Sequence, residues 1–236
     1  MKISVVIPMY NESAIIKNTA LYLSEYMQNN FDSYEIIFSD DGSSDKSAEI
    51  VRSLALDNIC VVESKENHGK GSAVRAGVNK AAGDIILFTD ADLAYGTEVI
   101  GRAYEVISQS DCGVLIGSRS IEKGSYGEYP CTREIFSKIY VKIICCIAGF
   151  NVSDSQCGFK AFKNDIAKKI FALSEVEGFS FDLEIIMLAK KIKADMIEFP
   201  VKIISHSKSS VSIFKDGIKM LCDLLKIKQR VKKIKL

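Results

Sequence analysis

The sequence predicts an α/β fold in which a mostly parallel β-sheet carries helices on both faces. Short apolar runs that are continuous rather than alternating recur along the first half of the chain, as expected of strands that are covered on both faces. Between these runs lie segments with the three- and four-residue apolar spacing of amphipathic helices. Such an alternation of strands and helices is typical of a parallel sheet with right-handed crossover connections.

Apolar runs mark the predicted strands, and a polar cluster follows each of them. The strands are Ser4–Ile7, Ile36–Phe38, Ile59–Val62, Ile85–Phe88 and Val114–Ile116. The clusters are Pro8–Glu12, Asp40–Asp45, Asn67–Gly71, Asp90–Asp92 and Gly117–Arg119. Because ligands bind outside the carboxyl ends of the strands in open α/β sheets, we expect these clusters to converge on one site.

Helical segments fill the intervals between these strands. The first interval has one apolar helical face, formed by Ile16, Ala20, Leu23 and Met27. The second repeats the pattern from Ala48 to Leu54, with Ser44 as its predicted N-cap. Residues 71–82 and 97–108 fill the next two intervals. The first part of the chain is therefore predicted to be a nucleotide-type α/β half, on whose sheet the remainder packs.

Composition and charge narrow the class of protein. The 236 residues are 47% hydrophobic and 26% charged, and the net charge of +1 gives no field that favours nucleic acid. The 7 cysteines are odd in number and include no C-x-x-C, which argues against a disulfide framework or a zinc site. No signal peptide precedes the first strand, and no apolar stretch approaches the roughly 20 residues of a membrane span. We therefore expect a cytoplasmic protein.

The pair Asp90 and Asp92, directly behind a buried strand, is the most informative of the polar clusters. Side chains at positions i and i+2 of an extended segment point the same way, so both carboxylates can face one ion. Carboxylate oxygens suit Mg²⁺ or Mn²⁺, which usually bind through one or two carboxylates plus substrate phosphates. Taken alone, the pair could equally be a helix cap and a solvated loop residue.

Two further clusters have the chemistry of a nucleotide site. Gly69-Lys70-Gly71 opens a predicted helix and offers backbone N–H groups and an ammonium group to a diphosphate, although the Walker A spacing is absent. A carboxylate after the second strand can accept from a pyrimidine N–H, and Gly42 lets the backbone approach the base. The alternative for Lys70 is a solvated cap residue, and the two histidines, His68 and His206, are expected at the surface.

These motifs, in order and spacing, resemble those of the inverting family 2 glycosyltransferases, which have the Rossmann-like type A fold. Within that family, Asp154–Lys160, Gly178–Glu184 and Ser207-Lys208 look most like polyprenyl-phosphate sugar transferases, and especially like dolichyl-phosphate β-glucosyltransferases. The resemblance runs from about Lys2 to Lys226. The transmembrane hairpin that follows the catalytic domain in many relatives is not found in this sequence.

The resemblance implies a role for each site residue. Those expected to hold the base and ribose of the nucleotide sugar are Pro8, Tyr10, Glu12 and Asp41. Lys70 would lie near the nucleotide, Asp90 would orient the ribose or sugar, and Asp92, with Asp90, would bind Mg²⁺ or Mn²⁺. The cations expected on an acceptor phosphate are Arg119, Arg133 and Lys160.

The implied reaction is transfer of a sugar, with inversion, from a nucleotide sugar to a polyprenyl phosphate. UDP-glucose is the favoured donor and GDP-mannose the alternative. A phosphate monoester has a second pKa of about 6, so as acceptor it needs little help from a base. The first alternative is a family 2 enzyme acting on a sugar hydroxyl, which requires a carboxylate base, either Asp154 or Asp182. The second is a sugar nucleotidyltransferase, which would carry a glycine-rich loop in place of Pro8–Glu12.

Two segments predict association with a membrane surface. Residues 134–148 are apolar nearly all round the helix, which indicates either burial or contact with lipid. The apolar face of Ile213–Leu225 runs into a tail, residues 226–236, with six basic residues and no acid. We expect one catalytic domain over residues 1–210, with a nucleotide-binding half at 1–120 and an acceptor-binding half at 121–210. Residues 211–236 would form an amphipathic helix and basic tail on the inner face of the membrane.

Overall fold

The computed structural model describes residues 1–121, 142–204 and 213–235, with the backbone alone at 213–222. The strands of these residues are β1 (Ile3–Met9), β2 (Tyr34–Asp40), β3 (Ile59–Glu63), β4 (Ile85–Phe88), β5 (Val114–Ser118), β6 (Lys160–Lys163) and β7 (Met196–Pro200). They form one sheet in the order β3-β2-β1-β4-β6-β5-β7. All neighbouring pairs are parallel except those of β6, which is antiparallel to both β4 and β5. The predicted strands and the mostly parallel sheet are confirmed.

Helices cover both faces of this sheet. They are α1 (Ile16–Asn30), α2 (Ser47–Ser53), α3 (Lys70–Lys80), α4 (Glu98–Gln109), α5 (142–148), α6 (Asn164–Leu173), α7 (Phe181–Lys191) and α8 (Ile213–Lys233). The helices predicted between the first five strands are confirmed as α1 to α4. Ser44 is not the N-cap of α2, because that helix begins only at Ser47. The backbone N–H of Ser44 donates instead to Asn11 Oδ1 at 2.9 Å.

The core has two layers, one on each face of the sheet. Alternate side chains of β1 enter different layers: Val5 packs in the layer formed with α1, α2 and α4, whereas Val6 packs in the layer formed with α3, α6, α7 and α8. Both residues are fully buried. This double coverage is the reason that the strand sequences are continuously apolar.

The C-terminal helix α8 packs on the protein with part of the face that was predicted to meet lipid. Leu224 is fully buried in the layer that contains α7, together with Ile227 and Val231, whereas Leu225 is 52% exposed. In α5, Ile144 is buried in the same layer. Within the described part of the chain, no helix combines the length and the apolar character needed to cross a membrane. Residues 134–141 lie outside the described residues.

Candidate active site

The loops that follow β1 and β2 are joined by hydrogen bonds at the carboxyl edge of the sheet. The Asn11 side chain accepts from the backbone of Ser44, and the Asn11 N–H donates to Ser43 Oγ at 2.9 Å. The Glu12 N–H donates to Ser47 Oγ at 2.8 Å. Asn11 has φ +56°, a left-handed conformation that asparagine tolerates better than most residues. Tyr10, 46% exposed, and Glu12 are thereby presented at the edge, while Pro8 is buried within β1.

Asp41 organises the loop that precedes α3. It is 3% exposed, and its two carboxylate oxygens accept from the N–H groups of His68 at 3.1 Å and Gly69 at 2.6 Å. Gly42, at φ +72°, lies against the same loop, because a Cβ there would be 2.5 Å from the carbonyl carbon of Glu66. The structure therefore gives Asp41 and Gly42 contacts with backbone, where the sequence predicts contacts with a base.

The backbone N–H groups at the start of α3 also have partners within the chain. Gly69 N donates to Asp41, and Gly71 N donates to the carbonyl of Glu177 at 2.6 Å. The predicted cradle of N–H groups for a diphosphate is therefore wrong for these two amides. The Lys70 side chain, 21% exposed, remains as the cationic group of this segment.

Lys70 and Asp90 form an ion pair at the centre of the edge. The Lys70 ammonium donates to Asp90 Oδ1, and the Asp90 side chain keeps 32% of its surface exposed. Burial lowers the pKa of Lys70, but Asp90 and then Asp182 outweigh it, so the pKa is raised and the group stays charged. Gly158 lies against the other oxygen of Asp90, and only a residue without Cβ fits there, since a Cβ would be 2.7 Å from Asp90 Cγ.

Negative charge accumulates around Asp92. Burial raises the pKa of Glu12 above its usual value, and the nearby carboxylates of Asp92 and Asp90 raise it further. Asp92 Oδ1 accepts from the N–H of Ala94 at 3.1 Å, in a turn where Leu93 takes the left-handed φ of +47°. Carboxylates gathered in this way attract a cation, because their mutual repulsion falls when a positive charge enters.

Arg119 and Asp154 form a bidentate ion pair at the same edge of the sheet. Arg119 Nε lies 2.6 Å from Asp154 Oδ2, and Nη2 lies 2.9 Å from Oδ1. The Asp154 side chain is only 4% exposed, whereas that of Arg119 is 27% exposed. Burial lowers the pKa of Arg119, but Asp154 raises it well above the usual range, so this cation stays charged at every accessible pH.

Lys160 and Asp182 form a second, deeper ion pair. Lys160 is fully buried, and its Nζ lies 2.5 Å from Asp182 Oδ1 and 2.8 Å from the carbonyl of Cys157. Burial raises the pKa of Asp182, and the Lys160 ammonium opposes that rise. Lys160 thus has no exposed surface on which an acceptor phosphate could rest, and this differs from its predicted role. Arg133, the third predicted phosphate ligand, lies outside the described residues.

Comparison with known proteins identifies the class of this site. Residues 4–171 match the family described as Glycosyl transferase family 2, which is more than half of the chain. The chain belongs to this family. The family predicted from the motifs is thereby confirmed, and the sheet edge is the candidate active site of a family 2 glycosyltransferase.

Individual relatives and solved structures also resemble this chain over most of its length. The dolichyl-phosphate beta-glucosyltransferase of Dictyostelium discoideum is 32% identical over 97% of this chain and 74% of its own length. That of Drosophila melanogaster is 30% identical over 96% of this chain and 74% of its own length. Glucosyl-3-phosphoglycerate synthase from Mycobacterium tuberculosis, in complex with uridine diphosphate, matches with a TM-score of 0.72 at 16% identity, covering 97% of this chain and 80% of that chain. This likeness in structure agrees with the predicted type A fold.

Sequence reasoning missed several residues that shape the site of this family 2 glycosyltransferase. Asn11 was seen only as part of a motif, although it joins two loops. The contact of Gly158 with Asp90 had no signal in the sequence. Gly158 precedes β6 and Asp90 follows β4, so the two residues meet only in the folded sheet. Burial raises the pKa of Asp45, but hydrogen bonds from Ser47 and Ser13 outweigh it and lower the pKa to about 2, so Asp45 stays ionised between these loops.

Replacing Gly158 by alanine is expected to lower glycosyl transfer by about 10²-fold, because a displacement near 1 Å in a catalytic group has this effect. The new methyl group would overlap Asp90 and push it away from Lys70. Initial rates of transfer with purified protein check this. The matched control is Gly178→Ala, where a Cβ meets nothing within 4 Å. Equal rates for the two variants would contradict the assigned role of Gly158.

Proposed function

We propose that this protein transfers glucose from UDP-glucose to a polyprenyl phosphate with inversion at the anomeric carbon, giving a polyprenyl-phosphate glucose. The observation that carries the proposal is the extent of the similarity to dolichyl-phosphate beta-glucosyltransferases. It covers 97% of this chain in the Dictyostelium discoideum relative, and so includes the acceptor half as well as the nucleotide half.

The donor half fits a nucleotide diphosphate sugar and a divalent cation. Asp90 and Asp92 supply hard carboxylate oxygens one residue apart at the sheet edge. Among the side chains of residues 1–121, 142–204 and 223–235, no group of three or more His, Cys, Asp or Glu could hold a metal ion. Two carboxylates suit Mg²⁺ or Mn²⁺, which takes its other ligands from substrate phosphates and water. Such an ion, when bound, stabilises the negative charge of the leaving diphosphate.

Side chains of the protein complete the donor site. Lys70 holds Asp90 in place and adds a positive charge beside the position expected for the nucleotide. Tyr10, exposed at the edge, offers an aromatic face to the base. Glu12 lies close enough to Asp92 for its pKa to respond, and its carboxylate can accept from a ribose hydroxyl. Asp41 supports this site indirectly, by holding the loop of His68 and Gly69.

The acceptor half favours a phosphate over a hydroxyl group. Both carboxylates that were candidate bases form ion pairs: Asp154 with the guanidinium of Arg119, and Asp182 with the ammonium of Lys160. A general base must reach the proton that it removes, and the side chains of Asp154 and Asp182 are only 4% and 7% exposed. A phosphate dianion attacks the anomeric carbon without a base. The exposed part of Arg119 can offer positive charge to this acceptor, and the family resemblance predicts the same role for Arg133.

The test of this proposal is a product analysis with purified protein and Mn²⁺. UDP-glucose and GDP-mannose are each incubated without an acceptor, with a polyprenyl phosphate, and with a glycan that offers sugar hydroxyls. The linkage and anomeric configuration of the product are determined by NMR. We expect a β-linked glucosyl phosphodiester of the prenyl chain from UDP-glucose alone. A glycosidic bond to a sugar hydroxyl, with no prenyl product from any donor, would refute the proposal and support the hydroxyl-acceptor alternative.

We further propose that the protein binds peripherally to the inner face of the membrane through the basic end of α8. Five lysines there are exposed, namely Lys226, Lys228, Lys232, Lys233 and Lys235. Each basic residue near an anionic surface contributes about 1 kcal/mol to binding. Arg230 does not belong to this set, because its guanidinium is engaged with Glu184 and Glu175.

Reversing the charge of four of these lysines is expected to abolish cosedimentation with anionic vesicles at low salt. The substituted residues are Lys226, Lys232, Lys233 and Lys235. Binding by the wild-type protein should also fall as salt is added, because exposed charges are screened. The matched control reverses four exposed lysines elsewhere, namely Lys17, Lys80, Lys169 and Lys202. Wild-type protein that stays in the supernatant at low salt would disprove this mode of attachment.

A further inference from the structure

A fully buried carboxylate in α7 has no part in the chemistry proposed above. Glu184 is 0% exposed, and its Oε2 accepts from Ser174 Oγ at 2.6 Å, Val176 N at 3.0 Å and Glu175 N at 3.1 Å. Its Oε1 accepts from Arg230 of α8. A charge is buried at such depth only where it is paired and fully hydrogen-bonded. Glu184 therefore orders the segment from Ser174 to Val176.

Helix α8 supplies the cation of this arrangement. Besides Glu184, the Arg230 guanidinium contacts the carbonyl of Leu173 through Nη1 at 3.0 Å and Glu175 Oε1 at 3.0 Å. One side chain thus joins α8 to the end of α6, to α7 and to the segment between them. A second link between α8 and this region runs from Ser180 Oγ to Asp223 Oδ2 at 3.2 Å.

The ordered segment contacts the start of α3. The carbonyl of Glu177 accepts from Gly71 N at 2.6 Å and from Ser72 N at 3.3 Å. Contact with the ordered segment is so close that a Cβ on Gly71 would overlap the carbonyl oxygen of Val176. Lys70, the residue before Gly71, bears the ammonium that pairs with Asp90. Polar contacts, joined by the backbone of Val176–Glu177 and of Lys70-Gly71, therefore lead from α8 to the centre of the candidate active site.

We propose that Glu184 and Arg230 are positioning residues for the donor site. They hold Ser174–Glu177 against the first turn of α3 and so fix Lys70 relative to Asp90. The kinetic part of this inference rests on the proposed function, because it is measured with UDP-glucose. The structural part does not, because it concerns the hydrogen bond from Gly71 to Glu177.

Two variants test the inference, Glu184→Gln and Arg230→Met. Each removes one charge of the pair. Arg230→Met leaves the buried Glu184 carboxylate without its cation, whereas Glu184→Gln leaves a guanidinium that is 26% exposed and still paired with Glu175, so Glu184→Gln is the milder change in charge. We expect faster hydrogen exchange at the amides of Gly71 and Ser72. We also expect the KM for UDP-glucose to rise about tenfold while the KM for the prenyl phosphate changes little, an effect of the size that packed networks transmit between sites. Arg230→Lys, which keeps the charge, should restore part of the slow amide exchange and part of the low KM for UDP-glucose.

The matched control is Val231→Ala, next to Arg230 in α8. Val231 is 5% exposed and packs in the same layer, but its side chain makes no polar contact with the segment. If Glu184→Gln and Arg230→Met lower the melting temperature yet match Val231→Ala in exchange and in KM, the role is structural only and the inference is overturned. If the wild-type protein does not use UDP-glucose, the proposed function fails. Hydrogen exchange at the Gly71 amide in the variants then decides by itself whether Glu184 and Arg230 hold the start of α3.

Discussion

Asp92→Ala is expected to lower glycosyl transfer by at least about 10²- to 10³-fold, the usual cost of removing a group that stabilises developing charge. The side chain belongs to the carboxylates around Glu12, where a divalent cation would compensate the charge. It lies beyond the end of β4 and outside the two core layers. The melting temperature should therefore remain close to that of the wild-type protein.

Initial rates at increasing Mn²⁺ or Mg²⁺ concentration are the measurement for Asp92→Ala. The matched control is Asp111→Ala, which removes an exposed carboxylate that precedes β5, at the opposite edge of the sheet. The control should keep wild-type rates at every metal concentration. Near-normal transfer by Asp92→Ala at every metal concentration, low as well as saturating, would rule out the metal role of this carboxylate.

Lys160→Met is expected to destabilise the fold by about 3–5 kcal/mol, the cost of removing one partner of a buried ion pair. Lys160 is fully buried and Asp182 is 5% exposed, so solvent has little access to the carboxylate that Lys160→Met leaves without its partner. Without the ammonium, Asp182 must either remain charged in an apolar setting or take up a proton, for which its pKa is already raised by burial. Urea denaturation followed by circular dichroism measures the loss.

The double variant Lys160→Met with Asp182→Leu separates the two roles considered for Lys160. If the pair is structural, the second substitution should recover much of the lost stability, because no uncompensated charge remains. If Lys160 binds the acceptor phosphate, as the family resemblance implies, Lys160→Met should instead keep its stability and show a raised KM for the prenyl phosphate. The second outcome would contradict the role that the structure supports.

The sequence predicted the first five strands, and the edge of the sheet at which polar side chains collect, because both depend on local patterns. Continuous apolar runs such as Ile85–Phe88 are buried on two faces in any parallel sheet, and residues that follow such strands must emerge at one edge. The aspartates, the Gly69–Gly71 segment and the family resemblance could therefore be recognised without coordinates. Membership in glycosyl transferase family 2 confirms the family resemblance.

Only the tertiary structure decided which polar groups become partners. Strand β6 is four residues long, and its sequence has no clear strand pattern, yet it enters the sheet antiparallel between β4 and β5. Its register sets Lys160 opposite Phe88, two residues before Asp90. Gly158 therefore meets Asp90, and Lys160 meets Asp182. These contacts join residues that are far apart in the chain, so neither periodicity nor spacing encodes them. Residue types along the chain determined where polar chemistry collects, and long-range pairing determined which of those groups face substrate and which neutralise each other.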